Sequence, residues 1–207
     1  MFIAVFASLI SVVNPLGAVP LFLALSKDHT PRERAITARQ TSIYFTLILL
    51  AFFLGGSLIL SFFGININAM RSAGGLIILA SGYSLLSGKF EQHKAVDQKV
   101  KQEAMHKSDI SFSPMAMPML SGPGSISLLI GYYTTYSDWW LRLGIMGVIV
   151  LCGVVVYFIL KTAPALSKVL GEGGLKAVSR IMGFIVMSIG VQYIINGGVA
   201  LFRQAML

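Results

Sequence analysis

The chain has 207 residues, 56% of them hydrophobic and only 12% charged, with a formal net charge of +8. Soluble domains carry about 25% charged residues, so this composition excludes an ordinary soluble domain. The basic excess does not point to nucleic acid, because the lysines and arginines sit in short stretches between apolar runs and no aromatic-rich basic segment accompanies them.

Six apolar runs approach the ~20 residues that a helix needs to cross ~30 Å of hydrocarbon. They are Phe2–Leu25, Ala35–Phe63, Ile67–Leu86, Ser111–Thr134, Trp139–Leu160 and Ala177–Phe202. The first has no basic residue before Ile3 and continues to Leu25, so it reads as a retained helix rather than a cleaved signal. It contains Asn14-Pro15-Leu16-Gly17-Ala18-Val19-Pro20. The second is preceded by a capping box, with Thr30 as N-cap, Pro31 at the first helical position and Glu33 reaching back. That helix starts in water and enters the membrane past Arg34 and Arg39. The third opens with Arg71 and carries Gly74, Gly75 and Gly82. A polar stretch, Lys89–Asp109, then joins the two halves of the chain. The fourth run contains Leu120-Ser121-Gly122-Pro123-Gly124-Ser125-Ile126-Ser127. Tyr132, Tyr133, Tyr136, Trp139 and Trp140 form an aromatic belt before the fifth, and a basic loop from Lys161 to Arg180, holding Pro164, precedes the sixth. Cys152, the single cysteine, lies mid-run and reads as a small buried hydrophobe.

Thirteen of the sixteen basic residues fall in three alternate connections: Lys27 to Arg39, Lys89 to Lys107 and Lys161 to Arg180. Only Arg71, Arg142 and Arg203 lie on the other side. The positive-inside rule therefore puts those connections in the cytoplasm and both termini outside it.

An offset of 108 relates the two halves. It carries Pro15 onto Pro123, Gly75 onto Gly183, Ile77 onto Ile185 and Gly82 onto Gly190, with Arg71 and Arg180 one residue out of step. Three spans per half is an odd number, so the second half must enter from the opposite side. The expected architecture is one all-α transmembrane domain, 1–207. Repeats at 1–88 and 111–207 have opposite orientations and are joined by a cytoplasmic loop, 89–110.

Five of the seven prolines lie in the corresponding first and fourth spans: Pro15, Pro20, Pro114, Pro118 and Pro123. Proline removes a backbone donor and clashes with the preceding turn. Both spans should break near mid-membrane, where free amides and carbonyls are tolerated only beside a polar cavity. Asn14 and Ser121 are the candidate N-caps of the half-helices that follow. The free amides there, at the positive helix end, suit a carboxylate, and carbonyls ending the preceding half-helix suit an ammonium group. All eight acidic residues and all three histidines fall in connections or at membrane edges. A buried proton relay and a fixed cationic substrate are therefore disfavoured. No metal-ligand spacing and no HExxH, Ser/His or Cys/His set lies within the spans, so no cofactor, metal or catalytic residue is expected.

The Asn14-Pro15-Leu16-Gly17-Ala18-Val19-Pro20-Leu21-Phe22 run resembles the opening signature of the MarC family of bacterial inner-membrane proteins. Pro118-Met119-Leu120-Ser121-Gly122-Pro123-Gly124-Ser125-Ile126 resembles its second signature, and the Arg71…Gly74-Gly75 and Arg180…Gly183 openings fit as well. The resemblance covers essentially the whole chain. It implies a six-helix inverted-repeat fold related to small neutral amino acid transporters (glycine, alanine), whose broken first and fourth helices hold the substrate. Carried over, it implies substrate binding by Asn14, Pro15, Gly17, Ser121, Gly122, Gly124 and Ser125. Gly122 stands where the first break has Asn14, so the halves are not chemically equal. The expected function is secondary transport of a small zwitterion across the bacterial inner membrane by alternating access, with the coupling ion unassigned. A channel for a small solute and a non-transporting scaffold are the alternatives.

Overall fold

Long apolar runs with few breakers satisfy their backbone polar groups internally by coiling. The computed structural model describes residues 1–87 and 110–206, and among these the secondary structure is helical without strands. Seven α-helices and one distorted segment follow in order: α1 (Phe2–Val13), α2 (Pro15–Leu25), α3 (Pro31–Phe62), α4 (Ile67–Leu86), the segment Ser111–Leu120, α5 (Pro123–Thr135), α6 (Trp139–Lys161) and α7 (Ala163–Ala205). The expected joining stretch Lys89–Asp109, with His93 and His106, lies outside the described residues.

Among the described residues, five helical runs are long and apolar enough to cross a membrane: Phe2–Leu25, Pro31–Phe62, Ile67–Leu86, Trp139–Lys161 and Gly173–Gln204. The chain thus has the architecture of a multi-pass membrane protein. The remaining expected span, Ser111–Thr134, is occupied by the distorted segment and α5, each too short to cross alone.

The capping box at α3 is as the sequence predicts. Thr30 Oγ1 accepts from the Glu33 N–H at 3.3 Å, and Glu33 Oε2 accepts from the Thr30 N–H at 2.7 Å. The Lys161–Arg180 stretch differs from expectation. It is helical from Ala163, with Pro164 in the first turn of α7, and the helix is broken at Gly171 (φ 62°, ψ 176°). Lysines helped it read as a loop, but lysine is a good helix former, and proline is tolerated in a first turn. Only the Gly171 backbone needs a residue without a side chain.

Buried Leu9, Phe22, Phe45, Leu49, Phe53, Leu128, Ile149 and Val156 form a core shared by α1, α2, α3, α5 and α6. The α3 and α6 helices close on each other through Ser42, whose hydroxyl donates to the Gly153 carbonyl.

The α4 and α7 helices pack antiparallel on glycine. A Cβ built on Gly75 would lie 2.8 Å from the Gly190 carbonyl oxygen, and one on Gly190 would lie 2.8 Å from that of Gly75. Gly82 and Gly183 face each other in the same way, at 2.7 and 2.8 Å. Gly197 adds a third contact one step along, on Asn68 and Ser72. The contact positions recur every seven residues, the spacing of a continuous helix–helix seam. Without side chains there, the two backbones come into direct contact, the geometry that small residues give membrane helices.

Candidate functional site

The first break is one residue long. Pro15 has no N–H, so α1 cannot continue through it and the Ser11 carbonyl loses its helical donor. Asn14 takes up the turn with a left-handed backbone (φ 45°, ψ 63°), which asparagine tolerates better than most residues. It ends α1 by donating its N–H to the Ile10 carbonyl at 2.9 Å. It also starts α2, because Oδ1 accepts from the Gly17 N–H at 3.2 Å and Pro15 occupies the first helical position. A Cβ on Gly17 would lie 2.4 Å from Asn14 Nδ2, so Gly17 makes room for the cap. Nδ2 itself is buried and has no hydrogen-bond partner.

The second break is longer. Ser113 (φ −123°, ψ 122°) and Met117 (φ −132°, ψ 128°) are extended, and each precedes a proline, which holds a residue out of the α region. The Ser113–Pro114 and Met117–Pro118 peptide bonds are cis. Hydrogen bonds here span five residues, as from the Ser121 N–H to the Ala116 carbonyl (2.8 Å). Ser121 is thereby spent on closing this segment. The N-cap of α5 is Gly122, not Ser121, and no side chain caps the helix. The Ser125 hydroxyl turns back to the Gly122 carbonyl at 2.9 Å. The Ser121 hydroxyl is fully buried and without a partner.

The two breaks meet. A Cβ on Gly124 would lie 3.4 Å from Val12 Cγ1 of α1 and 3.2 Å from Ile78 Cγ1 of α4. Gly124 therefore lets α1 and α4 approach α5, rather than presenting open backbone on that side. Along α3, edge-to-face ring pairs bracket the second break: Tyr44 on Phe112 below it and Phe53 on Tyr133 above it. The break thus lies opposite the middle of α3. Of the predicted site residues, Asn14, Pro15, Ser121, Gly124 and Ser125 are buried, and Gly17 and Gly122 are half-buried. Among the described residues, four further hydroxyls are buried without partners. They are Thr41 on α3, Ser72 and Ser84 on α4, and Ser127 on α5, the last packed against Gly74.

Arginines secure the far ends of both half-helices. Arg34 donates to the Ser26 carbonyl (2.8 Å) and hydroxyl (3.2 Å) after α2. Arg142 donates to the Tyr136 and Tyr133 carbonyls at 2.9 and 3.2 Å at the end of α5 and lies over the Tyr133 ring. The 108-residue offset carries Arg34 onto Arg142 and the N-cap Thr30 onto the N-cap Asp138, a signal available in the sequence. Arg71 reaches α5 from α4, donating to the Thr135 hydroxyl and, at 3.5 Å, to the Gly131 carbonyl. Arg180, near its counterpart position, is exposed. A groove of about 670 Å³ at the end of α7, lined by Gly198, Val199, Phe202, Arg203 and Met206, includes no residue of either break.

The model of the MarC family of integral membrane proteins matches residues 1–202. A membrane protein of Buchnera aphidicola (subsp. Schizaphis graminum) is 35% identical over 201 residues, covering 97% of this chain and 93% of that protein. The inner membrane protein MarC of Escherichia coli K12 is 35% identical, with 91% and 90% covered. A membrane protein of Methanocaldococcus jannaschii is 36% identical, with 95% of each covered. No solved structure matches the chain.

Proposed function

This chain belongs to the MarC family of integral membrane proteins, and from that premise we propose that it is a secondary transporter of a small neutral amino acid, glycine- or alanine-like, working by alternating access. One observation carries the reading. Two proline-broken helices come together in the bundle interior, and buried Asn14 Nδ2 and Ser121 Oγ there have no partner. A buried polar group left unpaired costs about 1–3 kcal/mol, and lipid cannot supply the missing acceptor. A polar ligand can.

The finer architecture belongs to the same proposal: six crossings in two inverted three-helix repeats, in the inner membrane, with both termini outside the cytoplasm. Reciprocal contacts support it. Gly75 meets Gly190 and Gly82 meets Gly183, which under the 108-residue offset is one contact made twice, as across a two-fold axis. The paired Arg34 and Arg142 caps repeat the pattern. Each of these arginines stays within its own repeat and moves with its half-helix. Arg71 alone of the three reaches from one repeat to the other, so its bonds to α5 must break if α5 is to swing away from α4.

Proteoliposomes holding the purified protein and tested with a panel of labelled amino acids decide the reading. Saturable exchange of glycine or alanine, accelerated by unlabelled substrate on the far side, is expected. Conductance without counterflow would make the protein a channel, and no flux for any of the panel would leave it a scaffold.

A further inference from the structure

Donors without acceptors are not shared equally between the two breaks. At the first, the Asn14 side chain already takes the Gly17 N–H and Pro15 has none to give, which leaves only the half-buried Leu16 amide ahead of the ladder. At the second, no side chain caps α5. Its first bond back to the cap is from the Ile126 N–H to the Gly122 carbonyl (3.2 Å), which leaves the Gly124 and Ser125 amides ahead of the helical ladder. Both residues are buried, Ser125 to 1% exposure. The unpartnered Ser121 hydroxyl, at 0% exposure, stands immediately before them, and Asn14 Nδ2 is a fourth donor without an acceptor. Acceptors lie beside these donors. The end of α1 lies against the first turn of α5, with Val12 Cγ1 3.4 Å from a Cβ built on Gly124, and the Ser11 carbonyl there has lost its donor to Pro15.

We propose that the second break is the carboxylate site. The substrate carboxylate accepts from the Gly124 and Ser125 amides, the Ser121 hydroxyl and Asn14 Nδ2, and the ammonium of the same molecule turns to the carbonyls ending α1. The helix ends reinforce this polarity, since the start of α5 favours an anion and the end of α1 a cation. Access is along the Gly122–Pro123 edge, where Gly122 is half-buried and Pro123 exposed. In this arrangement the end of α1 supplies the acceptors and the second break three of the four donors, so the two breaks differ in role despite their shared origin in proline. This assignment rests on the reading of the chain as a carrier of zwitterions.

Three variants of the full chain test it. Asn14→Asp keeps an oxygen to accept the Gly17 N–H but replaces the free donor with a negative acceptor. Labelled glycine should bind it roughly tenfold more weakly or worse than the parent, without loss of thermal stability. Ser121→Asp places a carboxylate at the site, and without any ligand it should unfold at a higher temperature than the near-isosteric Ser121→Asn. If Ser121→Asp is no more stable than Ser121→Asn, the anion site is overturned, whatever the protein carries. Glycine binding by Asn14→Asp equal to the parent's overturns the assignment of Nδ2. If the parent binds no amino acid, the transport reading fails on its own, and the two Ser121 variants still decide the anion site.

Discussion

Asn14 has a structural role and a proposed ligand role, and two substitutions separate them. Its backbone sits at φ 45°, and its Oδ1 caps α2 through the Gly17 N–H at 3.2 Å. Alanine loses both features. Losing the cap costs about 1 kcal/mol, and forcing alanine, which lacks asparagine's polar side chain to bond locally, into the left-handed region costs up to roughly 1–2 kcal/mol. Asn14→Ala should therefore lose up to about 2–3 kcal/mol of stability. Glycine adopts the left-handed turn freely and as an N-cap costs only a few tenths of a kcal/mol relative to asparagine. Asn14→Gly should fold nearly as well as the parent, yet it lacks the buried Nδ2 donor. Loss of that bond, worth ~1–3 kcal/mol at a buried site, should weaken glycine binding by roughly five- to hundredfold. Thermal unfolding of the purified variants, read beside uptake of labelled glycine, separates the two effects. If Asn14→Gly transports like the parent, the asparagine is only a cap and the ligand lies elsewhere.

Four further outcomes follow from the packing and the charges. Gly82→Val would put a side chain where a Cβ already lies 2.6 Å from the Met187 backbone nitrogen, so folded yield should collapse when assayed by gel filtration in detergent. Gly124→Val meets Ile78 and Val12 at 3.2 and 3.4 Å; overpacking of this kind costs ~1–3 kcal/mol and should lower transport, measured by uptake, more than yield. Arg71→Ala should free the end of α5 and speed labelling of a cysteine at Gly122 from the Trp139 side of the membrane, with no gain from the other side. A cysteine replacing Ser137 should react with an impermeant maleimide on intact cells, whereas one between Lys89 and Asp109 should not.

Much of the fold was legible because its causes are local. Thr30, Pro31 and Glu33 specify a helix start by themselves, and Pro15 after Asn14 specifies a stop and a restart. The second break was legible in place but not in detail. Pro114 and Pro118 make the preceding turns wide, and this shifts the cap one residue onward, from Ser121 to Gly122, which no single-residue preference reveals. Arg34 and Arg142 were hidden because a charge near a membrane edge reads as topology. Their bonds to the ends of α2 and α5 depend on how each hairpin folds back. Gly75 and Gly82 announced close packing but not their partners, which only the antiparallel meeting of α4 and α7 defines.

The central claim is that the two breaks form one substrate site, and protection at Gly122 tests it most directly. Gly122 has an ordinary backbone (φ −74°), and the nearest neighbour of an added Cβ is the Pro118 carbonyl oxygen at 3.3 Å, so a cysteine fits there with little adjustment. With Cys152 replaced by alanine, modification of Gly122→Cys by a small thiol reagent in proteoliposomes should slow as glycine is added and should be unaffected by lysine at the same concentration. Equal rates with and without glycine, in a variant whose parent transports glycine, would contradict the claim.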